Sequence, residues 1–99
     1  MATQSLDKLA EILRKTMPKL RSEYSINGLW IFGSFVRGEE DSSSDVDILV
    51  EFDKLPTLLE FVRLQRTLSD LLGVKVDLVM KTALKPTIGR RIMKEAVAV

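Results

Sequence analysis

Leu29-Trp30-Ile31-Phe32-Gly33-Ser34-Phe35-Val36-Arg37-Gly38, followed after five residues by Ser44-Asp45-Val46-Asp47-Ile48-Leu49-Val50, is the stretch that decides how this chain folds. Leu29 to Phe32 is short, apolar and bounded by turn residues, which predicts a buried strand. It runs directly into Gly33-Ser34, and Phe35 to Arg37 reads as one helical turn. Gly38 to Ser44 is a polar loop in which Ser44 reads as a cap. Asp45 to Phe52 then alternates as a second strand with Val46, Ile48, Val50 and Phe52 on its apolar face. Side chains two apart on a strand point the same way, so Asp45 and Asp47 share the other face.

Upstream, Ser5 caps a helix in which Leu6, Leu9, Ala10, Leu13 and Met17 recur at helical spacing. Pro18 disfavours helix at Met17, so this helix is expected to stop near Lys15. Pro18 to Tyr24 then reads as a second short helix or irregular turn, and Asn27-Gly28 as a turn. Downstream of Pro56, Leu58, Leu59, Val62, Leu68, Leu71 and Leu72 predict the apolar side of a helix that Gly73 ends. Val74 to Met80 predicts a third strand, with Val74, Val76, Leu78 and Met80 on one face and Lys75, Asp77 and Val79 on the other. Pro86 opens a last helix through about Ala96, with Ile88, Ile92, Met93 and Val97 as its core stripe. This order predicts an α/β (α+β) fold, a small mixed sheet with helices packed on one side. Residues 1–99 are expected to form a single domain.

Apolar residues at 45% and charged residues at 29% give enough of each for an ordinary core and a solvated surface, without disordered or low-complexity bias. The apolar runs are only a few residues long, far short of the roughly 20 needed to cross a bilayer. With no secretory pattern at Met1 to Asp7 and no cysteine, a cytoplasmic location without membrane attachment is expected. The absence of Cys and His also excludes thiol nucleophiles, Ser-His triads, iron-sulfur clusters and the usual zinc sites. Any metal is therefore held by oxygen, which favours Mg²⁺. Net charge is only +1, but Arg37 to Asp53 carries seven acids against one arginine, a segment that attracts cations. From Lys75 to Glu95 the balance reverses, and Lys81 and Lys85 read equally as phosphate contacts or solvated charges.

Two carboxylates on one strand face raise each other's pKa unless a cation or donor sits between them. Asp77, on the polar face of its own strand, joins Asp45 and Asp47 if that strand lies beside theirs. Three such acids make a site for one or two Mg²⁺, in which one ion activates an attacking hydroxyl and the other stabilises a leaving pyrophosphate. Gly33 lets the backbone come close to a ligand, and Ser34 with the amides after it suits phosphate oxygens. Arg37 can neutralise developing negative charge, with a salt bridge to Glu39, Glu40 or Asp41 as its rival role. Trp30 and Phe32 read as core rather than as base-stacking surface.

The six fixed positions Gly33, Ser34, Gly38, Ser44, Asp45 and Asp47 would coincide by chance on the order of once in ten million windows at average residue usage. They resemble the nucleotidyltransferase superfamily. With the Arg37-Gly38 pair and the length of the chain, they look like its minimal nucleotidyltransferases, often the antitoxin partners of HEPN-domain toxins. Val36 departs from the alanine common in that family, which bears on local packing only. The resemblance implies that Asp45 and Asp47 hold both metals and that Asp77 binds the catalytic metal and assists deprotonation of the nucleophile. It places the triphosphate at Gly33 and Ser34, with Arg37 beside it. The implied reaction is Mg²⁺-dependent transfer of a nucleoside monophosphate, AMP from ATP, to a hydroxyl, with a tyrosine of a HEPN toxin as acceptor. A chain this short leaves no room for an acceptor domain, so a partner protein is expected to supply that surface. Two rival readings are an antitoxin that acts only by covering its toxin, and the catalytic subunit of a two-chain transferase acting on a small molecule such as an aminoglycoside. Direct nucleic-acid binding is not expected, and oligomer formation is left open.

Overall fold

Ser5 accepts a hydrogen bond from the Lys8 amide and starts helix α1, Leu6–Tyr24, in the computed structural model, which describes residues 5–38 and 45–99. The expected stop near Lys15 and separate helix from Pro18 do not occur, because α1 continues through Pro18 as one helix of 19 residues. Pro18 lies on the exposed side, where water can take the carbonyl that its missing N–H leaves open. The buried stripe Leu9, Ala10, Leu13, Met17 and Leu20 holds both halves of the helix against the sheet. Packing of that stripe outweighs the local preference.

The chain reverses at Ser25, whose left-handed backbone (φ 55°, ψ 40°) ends α1, and not at Asn27-Gly28. Those two residues lie inside strand β1, Ile26–Phe32, where a bulge between Ile26 and Gly28 absorbs the irregularity. Helix α2, Ser34–Arg37, follows, and strand β2 spans Val46–Phe52. Thr57 and Glu60 form a reciprocal capping box at the start of helix α3, Leu58–Leu72. Strand β3, Val76–Met80, a single 3₁₀ turn at Lys81–Ala83, helix α4, Pro86–Glu95, and a two-residue strand β4, Val97–Ala98, complete the order.

The sheet runs β3-β2-β1-β4, with β2 and β3 parallel and the other pairs antiparallel. This is the mixed sheet expected, widened by β4. Leu29, Ile31, Val46, Ile48, Val50, Val76 and Leu78 form its buried face beneath α1 and α3. Tyr24 and Thr67 hydroxyls meet at 3.2 Å between those two helices. In α3 the buried residues are Leu64, Leu68 and Leu72, whereas Leu58, Leu59 and Val62 of the expected stripe are exposed. The hydrophobic count there is high enough to draw two stripes, and the sheet takes the one that continues from Leu72. The expected core stripe of α4 is also not realised: Ile88 is exposed and Ile92, Met93 and Val97 are only half-buried. That helix lies beside Leu49 on the opposite face, away from the main core.

On the outer edge of the sheet, α3 side chains take the outward N–H groups of β3. Val76 donates to Ser69 Oγ at 3.0 Å and Leu78 to Gln65 Oε1 at 3.1 Å. Among the described residues no helix is long and apolar enough to cross a membrane.

Candidate active site

Phe32 of β1 stands opposite Asp47 of β2, and Asp47 stands opposite Asp77 of β3. Adjacent strands are about 4.8 Å apart and a cross-strand row points to one side, so Asp47 and Asp77 rise together from the face opposite the core. Asp45 precedes β2 by one residue. Its charge and that of Asp77 both act on Asp47, whose carboxyl is pushed above its usual range first by burial and then by these two neighbours. The Arg37 guanidinium opposes that shift. The parallel pairing of β2 with β3, closed by the α3 crossover, is what brings Asp77 alongside.

Gly33 has φ 84° and ψ −151°, a region that only glycine enters readily. A Cβ there would press on Asp47 Oδ2 and lie 3.0 Å from its Cγ and 3.3 Å from its Cβ. The missing side chain is thus what lets the loop after β1 rest against the Asp47 carboxylate. Ser34 follows, half-buried, and its hydroxyl makes no hydrogen bond among the described residues.

Arg37, the last residue of α2, donates through Nη1 to Glu95 Oε1 at 3.0 Å. The Gly33 amide donates to the same oxygen at 3.4 Å. The alternative partners Glu39, Glu40 and Asp41, and the cap at Ser44, lie outside the described residues. Glu95 is the residue that sequence reasoning missed, where it counted only as a counter-charge in the basic tail. Its contacts span 62 and 58 positions, and no local pattern signals them. Lys81 pairs with Glu51 Oε2 at 3.5 Å and lies 4.9 Å from the centre of the Trp30 ring, so its charge is engaged further along the sheet. A cavity of about 550 Å³ lies there too, between Leu49 and the α4 residues Arg90 and Met93, beside the acidic row rather than on it.

Among the described residues no three acidic side chains already close into a metal cage. The donor set nevertheless fits a hard divalent cation: two carboxylates in one cross-strand row, a third two residues before Asp47 in the chain, and a raised Asp47 that a cation would relieve. A phosphate ligand would meet Gly33, Ser34 and Arg37 at one end of that row. Such an arrangement has the chemistry to hold a metal-bound polyphosphate.

The chain belongs to the nucleotidyltransferase domain family, whose sequence profile matches residues 10–99, and it is an enzyme of that class. Over all 99 residues, covering 100% of both chains, it is 43% identical to the protein adenylyltransferase MntA of Thermococcus cleftensis. Among solved structures it resembles a chain described as a minimal nucleotidyltransferase, with TM-score 0.82, 33% identity and 100% of both chains covered. It also shares the fold of a chain from the complex of a tri-AMPylated Shewanella oneidensis HEPN toxin with an MNT antitoxin. There the TM-score is 0.59 and identity 20%, covering 93% of this chain and 66% of that one.

Proposed function

We propose that this protein is a Mg²⁺-dependent protein adenylyltransferase that moves AMP from ATP to a tyrosine hydroxyl of a HEPN-domain toxin, and so acts as an antitoxin. The observation that carries the reading is the row in which Asp47 faces Asp77, with Asp45 acting on Asp47 and Gly33 resting against its carboxylate. The full-length similarity to an adenylyltransferase supports AMP as the transferred group, and the AMPylated toxin in the Shewanella complex supports the acceptor class.

Asp45, Asp47 and Asp77 would hold the ions, which when bound supply charge neutralisation to the phosphates and acidity to the acceptor hydroxyl. Gly33 and Ser34 bind the triphosphate, and Arg37 offsets charge on it. Asp77, on the exposed edge strand, receives the proton of the acceptor hydroxyl. The acceptor oxygen bonds to the α-phosphorus as the bond to the β-phosphate bridging oxygen breaks, giving a phosphodiester and pyrophosphate.

Incubation with labelled ATP, Mg²⁺ and a HEPN toxin, followed by mass spectrometry, tests this. Label on a toxin tyrosine is the expected result. Toxin neutralisation at wild-type strength by a variant carrying both Asp45→Asn and Asp47→Asn would replace the catalytic reading by simple covering of the toxin.

A further inference from the structure

We infer that Glu95 is a positioning residue for the nucleotide, tethering the Gly33 loop and the Arg37 guanidinium beside the place where the triphosphate oxygens arrive. This rests on the reading of Gly33, Ser34 and Arg37 as the triphosphate site.

One carboxylate oxygen, Glu95 Oε1, gathers donors from both ends of α2: the amide of its cap Gly33 and the side chain of its last residue Arg37. A helix of four residues gives an arginine at its end little steric guidance, and the Arg37 side chain is 48% exposed. An arginine in that setting samples many rotamers unless a partner fixes it. The guanidinium carries five N–H groups in a planar fork, so a bond to Glu95 through Nη1 fixes the plane of the group. The Gly33 carbonyl is committed as well, accepting from the Val36 and Arg37 amides at 3.1 and 3.2 Å.

The backbone of Glu95 is held for this role from both sides. It closes α4, and two residues later β4 pairs with β1, placing Val97 opposite Ile31 and Ala98 opposite Trp30. That pairing brings the C-terminal end of α4 alongside the Gly33 loop. A strand of two residues contributes little as sheet, yet it delivers one carboxylate to the loop that touches Asp47.

The test is a cycle of Glu95→Gln, Arg37→Gln and the double variant, with binding of a non-hydrolysable ATP analogue and Mg²⁺ measured by calorimetry and melting temperature measured beside it. Glutamine keeps an acceptor for the Gly33 amide and removes the charge. We expect Glu95→Gln to weaken analogue binding about fivefold in the wild-type background and by less than about twofold when Arg37 is already glutamine. Glu95→Asp, which keeps the charge on a shorter stem, should fall between and provides the same comparison if the glutamine variant folds poorly. Equal losses in both backgrounds, no loss, or tighter binding would overturn the inference, the last by showing that the carboxylate competes with phosphate. If Arg37→Gln and Ser34→Ala both leave analogue binding unchanged, the triphosphate reading itself fails, and the role of Glu95 fails with it.

Discussion

Replacing Gly33 by alanine separates backbone strain from site geometry, because Gly38, five residues on, offers a matched control. At Gly33 the backbone region itself costs an alanine about 1–3 kcal/mol. The new methyl group would also drive Asp47 from its rotamer, since the carboxylate occupies the position of the Cβ, adding about 0.5–1.5 kcal/mol. Gly33→Ala should therefore destabilise by about 1.5–4.5 kcal/mol. Gly38 has φ 72° and no described residue within 4 Å of where a Cβ would stand, so Gly38→Ala carries the left-handed backbone cost of about 1–2 kcal/mol. For a domain of this size the melting temperatures should fall by about 6–36 °C and 4–16 °C respectively, read by calorimetry. Nucleotide transfer should be lost in Gly33→Ala, measured below its melting point, and kept in Gly38→Ala. Equal destabilisation of the two variants, or wild-type transfer by Gly33→Ala, would refute the packing of Gly33 against Asp47.

The paired substitution Asp45→Asn with Asp47→Asn removes the part-buried Asp47 carboxylate and the Asp45 charge that acts on it, so thermal stability should be unchanged or slightly raised while nucleotide transfer disappears. Leu64→Ala, at a fully buried position, should cost about 2–5 kcal/mol in urea denaturation. Leu58→Ser, on a side chain 80% exposed, should change stability by less than about 0.5 kcal/mol. The Thr57 amide, and then its hydroxyl, hold the Glu60 carboxyl below its ordinary value of 4.5. A depressed carboxyl stabilises the fold above its unfolded pKa, and that contribution is lost as pH falls through the lower folded value. Glu60→Gln should therefore flatten the loss of stability below about pH 4.5 in acid titrations followed by circular dichroism.

The sheet and its acidic row are legible because a strand's period of two is rigid. Alternation in Val46 to Phe52 and Val76 to Met80 assigns Asp47 and Asp77 each to the polar face of its own strand, and the parallel pairing of β2 with β3 joins the two faces. Helix limits are less legible where a local preference competes with distant packing. Pro18 speaks for a break, and the buried stripe from Leu9 to Leu20 overrides it. In α3 the residues Leu58, Leu59 and Val62 are as apolar as Leu64 and Leu68, and only the position of the sheet decides which are covered. Strand β4 and the contact of Glu95 with Gly33 are illegible for a further reason: two residues carry no periodicity, and the pairing joins opposite ends of the chain.

The side chains of Ser69 and Gln65 have a consequence for how this protein can be approached. An edge strand with open amides is a template for a passing extended chain, whether a partner's or another copy's. Because Val76 and Leu78 already give their outward hydrogens to α3, a peptide cannot zip onto β3 without first displacing two side chains that belong to the crossover helix. At the other border, β4 presents only two residues. Self-assembly by sheet extension is thereby discouraged at both rims.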